Sequence, residues 1–171
     1  MNRDELARAF AAPGRVALPF TDPRSPDRPL VLHGYRPSNH RPDAPVVIVQ
    51  HGMGRNGDEY RDAWVPAADE HGLLIAAVTF PNESWPGPRT YNDGHVRDEH
   101  GAVRPREEWS QAIPARVFAA LREAGITTRP RAHLWGHSAG AQFVHRLLLC
   151  QPHDWLEAAG AGNAGWYTLP D

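Results

Sequence analysis

The sequence predicts an α/β fold, a mostly parallel sheet with helices on both faces, and three stretches carry that prediction. Pro45-Val46-Val47-Ile48-Val49-Gln50 sets four β-branched residues in succession before a glycine-rich turn, which reads as a strand buried on both faces. Leu73-Leu74-Ile75-Ala76-Ala77-Val78-Thr79-Phe80 is a second unbroken apolar run. Ala132 to Trp135, the turn Gly136-His137-Ser138-Ala139-Gly140 and the amphipathic stretch Ala141 to Leu148 follow one another as strand, turn and helix. Strands that alternate with helices are joined by crossovers, and crossovers make parallel neighbours.

Taken in order, residues 1–14 form a short polar helix or arm. Val16 to Phe20 and Leu30 to Tyr35 are short strands, and the prolines and charges from Thr21 to Pro29 can only be a loop. Arg36 to Pro45 is another polar connection. Asp58 to His71 is helical in composition and ends at Gly72, with Pro66 predicting a kink or a break inside it. Tyr60, Trp64, Ala67 and Ala68 recur there at helical spacing and are assigned to the core. Pro81 to Arg104, rich in Pro, Gly, Asn and Asp, is expected to be a long excursion without regular structure. Because it follows a strand whose carboxyl end should lie beside Ser138, Trp85, Tyr91 and Asn92 are expected to wall a substrate pocket, against the plainer reading of a solvated loop. Arg106 to Ala124 carries Trp109, Ile113, Val117, Leu121 and Ala124 at helical spacing, with Pro114 bending the helix or marking its start. Leu156 to Gly162 reads as a sixth strand, and the turn after it brings Trp166 toward the same pocket.

The chemistry centres on Ser138. A serine in a cramped strand-to-helix turn needs glycines where the two backbones approach, which Gly136 and Gly140 supply. Its hydroxyl then stands at a helix N-terminus, where amides stabilise developing negative charge. The His51-Gly52-Met53 turn at the end of the β-branched run supplies the other half of an oxyanion hole: one amide from Met53, one from Ala139. His51 and His137 border this expected pocket. The plainer readings are a glycine-lined turn with Ser138 as N-cap, and a histidine packed under a strand exit.

These stretches together, His51-Gly52-Met53-Gly54-Arg55-Asn56, Trp85-Pro86-Gly87 to Tyr91-Asn92, Trp135 to Arg146 and Gly160 to Pro170, resemble the α/β-hydrolase family, in particular its poly(3-hydroxybutyrate) depolymerase-like esterases. The resemblance implies an α/β-hydrolase fold with an antiparallel start to the sheet. It also implies ester hydrolysis through an acyl-enzyme and a triad in the chain order Ser, Asp or Glu, His. The histidines after Ser138 are poorly placed for this: His145 lies two turns along the following helix, and His153 sits in a connection at the opposite end of the sheet. Asp171 is a candidate orienting carboxylate only in a variant arrangement. The expectation is therefore a single domain lacking the C-terminal strands that bear acid and histidine, inactive alone, with its sixth strand left as an edge for a missing segment or second chain. Two alternatives stay open: a serine hydrolase acting on amides or peptides, and a catalytically silent hydrolase-fold protein that binds a ligand or partner.

Composition narrows the field. A net charge of −2, with 18 Lys and Arg spread along 171 residues, implies no nucleic-acid surface. One cysteine, Cys150, precludes an internal disulfide and fits a reducing compartment. Charges in Met1 to Leu6 take the place of a secretory signal, and no run approaches membrane-spanning length, so a cytoplasmic, membrane-free protein is expected. No cofactor is implied. Asp93-Gly94-His95 and Asp98-Glu99-His100 are the sole clustering of metal-ligand types, and a charged loop explains them better than a metal.

Overall fold

The two unbroken apolar runs become the centre of the sheet. The computed structural model describes residues 3–168 and contains six strands: β1 (Gly14–Phe20), β2 (Leu30–Arg36), β3 (Val46–Gln50), β4 (Leu74–Thr79), β5 (Ala132–His137) and β6 (Leu156–Gly162). Its α-helices are α1 (Arg3–Ala9), α2 (Gly57–Ala63), α3 (Val65–His71), α4 (Gly87–Thr90), α5 (Ile113–Glu123) and α6 (Ala139–Cys150). Every residue of β3 and β4 is buried. Alternate side chains of a strand leave on opposite faces. Val46, Ile48, Leu74, Ala76 and Val78 accordingly join one core cluster with Ile113, Val117, Phe143 and Leu147, while Val47, Val49, Ile75 and Ala77 join a second with Ala68, Tyr60, Trp64 and Trp135. Burial on both faces is why these strands read as continuous apolar runs.

The strand order is β1-β2-β4-β3-β5-β6. β1 pairs with β2 and β2 with β4 antiparallel, whereas β4, β3, β5 and β6 run parallel. The parallel carboxyl ends therefore converge on one rim, where Gln50, Thr79, His137 and Gly162 lead into loops.

Prolines mark the helix boundaries. The predicted break falls at Trp64, which ends α2 and caps α3, with Pro66 in the first turn of α3. Pro114 likewise stands at the start of α5, and residues 106–112 before it form two short 3-10 turns. The amino-terminal arm is more than polar: Leu6 and Phe10 are buried, and a Cβ on Gly34 of β2 would overlap the Phe10 ring.

The 81–104 segment departs from expectation. It is no structureless loop, since it holds α4 and an antiparallel bridge between Arg97 and Val103. Among the described residues no helix is long and apolar enough to cross a membrane.

Candidate active site

The turn between β5 and α6 is built by close backbone contact. Ser138 adopts φ 57° and ψ −118°, a conformation non-glycine residues hold only under constraint from their surroundings. A Cβ on Gly136 would overlap the Gly140 carbonyl; one on Gly140 would overlap the Gln50 carbonyl and stand 2.7 Å from the His51 oxygen. The end of β3 is thereby pressed against the first turn of α6. The Ser138 carbonyl accepts the amides of Ala141 and Gln142, which starts the helix, and its own amide donates to the Gly162 carbonyl at the end of β6. Ser138 itself stays partly exposed. The turn after β3 lies opposite: a Cβ on Gly52 would be 3.6 Å from Ser138 Cβ, and Met53 beside it is half exposed.

A side chain assigned to the core on spacing reaches this place too. Tyr60, in the first turn of α2, brings its hydroxyl within 2.8 Å of where a Gly52 Cβ would stand and within 3.1 Å of His137 Nδ1. The helix is fixed there because the Gly57 amide donates to Thr79 Oγ1 at the end of β4. His137 stacks on Trp135 at 13° between planes, and its Nε2 lies 3.2 Å from the Asn163 side-chain nitrogen. The available signal for Tyr60 was topological: a helix that leaves the His-Gly turn must run its first turn past the same rim.

The fold that carries this turn recurs in solved structures. Over its whole length the chain is 49% identical to a poly(3-hydroxybutyrate) depolymerase from Bordetella parapertussis, with a TM-score of 0.96. Over 93% of its length it is 42% identical to poly(aspartic acid) hydrolase-1 from Sphingomonas sp. KT-1, with a TM-score of 0.87. The chain belongs to the α/β-hydrolase family. It spans 59% and 60% of the lengths of those two proteins. An acetyl xylan esterase from Aspergillus awamori, 15% identical with a TM-score of 0.65 over 89% of this chain and 54% of its own, shares the fold. No family model and no curated protein matches the chain.

In this α/β-hydrolase chain four expected pocket residues are interior ones. His51, Trp85 and Tyr91 are fully buried and Asn92 is 3% exposed, so none of them is an open pocket wall. The reason is that the 81–104 segment folds back under the His51 to Arg55 turn. Arg55 donates to the carbonyls of Phe80, Trp85 and Gly87 and lies over the Tyr91 ring, 4.4 Å from its centre. Tyr91 donates to the His51 carbonyl at 2.6 Å, and burial raises its pKa well above the ordinary tyrosine value. Asn92 donates to Gln142 of α6, while its carbonyl accepts from Arg146. His51 accepts the Phe80 amide on Nε2 and donates from Nδ1 to the Gly52 carbonyl at 2.7 Å. Burial, with a smaller push from Arg55, lowers its pKa to about 4 against the pull of that carbonyl, so the ring is neutral and both nitrogens are engaged. Its role is to brace the turn from below.

Trp166 is half exposed and covers the Arg146 guanidinium of α6, 4.0 Å from its ring centre. The His137 side chain stands at the rim, where Tyr60 and Asn163 hold it.

No histidine or carboxylate among the described residues is hydrogen-bonded to Ser138. His145 binds the Ala141 carbonyl and the Thr168 amide, and His153 binds the Gln151 carbonyl. Asp171 lies outside the described residues. The acid and histidine cluster of 93–100 is dispersed: Asp93 pairs with Arg146, Asp98 accepts the amides of His100 and Ala102, and His95 is buried beside Trp85. Among the described residues no group of three or more His, Cys, Asp or Glu side chains is placed to hold a metal ion.

Proposed function

We propose that this chain carries the nucleophile of a serine hydrolase that cleaves carboxylic esters through an acyl-enzyme. Ser138 Oγ attacks the ester carbonyl while its proton passes to a general base that lies, with its carboxylate, outside the described residues. The amides of Met53 and Ala139 receive the oxyanion; collapse expels the alcohol with that proton, and water then releases the acid. The scheme needs no cofactor. The observation that carries the reading is the strained, partly exposed Ser138, set in a turn where Gly136 and Gly140 have no room for a side chain, with Gly52 opposite it. The 49% identity to a poly(3-hydroxybutyrate) depolymerase supports an ester as the substrate class.

The 42% identity to a poly(aspartic acid) hydrolase favours one second reading, amide cleavage by the same serine. Paired p-nitrophenyl ester and anilide substrates decide between them by their kcat/KM ratio.

A fluorophosphonate probe tests the serine itself. The folded full-length protein is expected to label on Ser138, and Ser138→Ala is expected to abolish labelling and lower ester turnover by ~10³-fold or more. Undiminished labelling of the alanine variant would refute the proposal.

A further inference from the structure

We infer that the Tyr60 hydroxyl is a third donor to the reacting carbonyl oxygen, held ready by His137 and Asn163. The inference rests on the serine-hydrolase reading and names a catalytic group that sequence spacing had placed in the core.

Position is the first argument. The hydroxyl occupies the place a side chain on Gly52 would need, and Ser138 borders the same point. That point, 2.8 Å from the hydroxyl and 3.6 Å from Ser138 Cβ, is where the Gly52 turn faces the serine. A carbonyl carbon in contact with Ser138, its oxygen turned toward Met53 and Ala139, meets the phenol there. The absent side chain at Gly52 is thus explained by the hydroxyl as well as by the turn.

Polarity is the second. The Asn163 side-chain nitrogen that faces His137 has only hydrogens to offer, so His137 Nε2 accepts. A neutral imidazole that accepts on Nε2 carries its proton on Nδ1, and that proton goes to the Tyr60 oxygen. The phenol's own hydrogen is then left over, and no other acceptor for it exists among the described residues. A donor whose oxygen is already occupied and whose hydrogen is free is what an oxyanion requires, and a hydrogen bond to a charged oxygen is among the stronger kinds.

Rigidity is the third. Trp135 stacks on His137, the Gly57 amide is tied to Thr79, and Asn163 follows directly on the Gly162 carbonyl that holds the Ser138 amide. The donor is therefore placed before substrate arrives. His137 and Asn163 are positioning residues, since they act only through Tyr60.

The test compares wild type, Tyr60→Phe and Asn163→Gly in full-length protein. Readouts are kcat and KM for a p-nitrophenyl ester and the Ki of a trifluoromethyl ketone, whose hydrated or serine-bound oxygen mimics the oxyanion. Tyr60→Phe is expected to lower kcat by about 10- to 100-fold with KM within twofold, and to weaken the ketone by the same factor as kcat/KM. Asn163→Gly keeps the left-handed backbone at an exposed position, and is expected to lower kcat several-fold in wild type but not further in the Tyr60→Phe background. A folded Tyr60→Phe enzyme within threefold of wild type, or one whose kcat falls while ketone affinity does not, overturns the inference. Should Tyr60→Phe fail to fold, an unchanged kcat in Asn163→Gly overturns it instead. Absence of Ser138-dependent turnover in wild type would sink the serine-hydrolase reading with it, whereas full turnover in Tyr60→Phe beside a dead Ser138→Ala sinks the Tyr60 role alone.

Discussion

Gly140 has no room for a methyl group, because the obstructing atoms are the main-chain oxygens of Gln50 and His51 and cannot swing aside. Gly140→Ala is therefore expected to cost at least about 2–3 kcal/mol, more than an ordinary surface change, by urea denaturation of the purified protein. A loss under ~1 kcal/mol would show that β3 and α6 yield more easily than their geometry implies. Gly136, Ser138 and Gly140 were legible because their constraint is local: three letters in five describe a turn that few other residues can make. Tyr60 and Arg55 were not, since each acts where segments far apart in sequence meet. His51 was misplaced for the same reason. A histidine before a glycine turn looks the same whether it faces a substrate or, as here, the Phe80 amide.

At the level of elements, Arg55 is the latch that keeps the 81–104 segment in place. It answers three carbonyls of the Phe80 to Gly87 stretch with one guanidinium, and a hydrogen bond to a charged group contributes about 1.5–3 kcal/mol net of the bonds to water it replaces, less when one cation is shared among several acceptors. Arg55→Met is expected to lower stability by about 3 kcal/mol and to speed thermolysin cleavage within 81–104 more than about tenfold, read by mass spectrometry of the fragments. Cleavage at the wild-type rate would mean that Arg146, which grips Asn92 and Asp93 from the other side, holds the segment alone. The strands and the proline-marked helix boundaries could be read in advance because burial on two faces and the missing proline amide leave direct traces in composition. The 81–104 segment could not. Its Pro, Gly, Asn and Asp record how often the chain turns, and they do not tell whether Trp85 and Tyr91 between those turns point outward or into the core.

Across the whole molecule, two buried histidines tie stability to acidity. Burial lowers the pKa of both His51 and His95 to about 4, with Arg55 helping at the first and Arg28, Arg104 and Arg89 at the second. The unfolded chain takes up these protons near pH 6.5, earlier than the fold does, so stability is complete above that pH and drains away as pH falls toward 4. Between about pH 7 and pH 5 His51 removes about 2 kcal/mol, and His95, set less deep and better screened by solvent, about 1 kcal/mol. His95→Gln is expected to shrink the difference between urea midpoints at those two pH values by its share, and an undiminished difference would assign the acid sensitivity elsewhere. The order of the strands, unlike their existence, was not written in any one stretch; its antiparallel start came from family resemblance alone.

The bond from the Ser138 amide to the Gly162 carbonyl also dictates a sequence in time. A ribosome delivers the serine well before it delivers the residue that fastens it, so a nascent chain paused between the two holds a bend whose amide is still open to water. The turn reaches its final shape only once β6 has emerged and zipped onto β5.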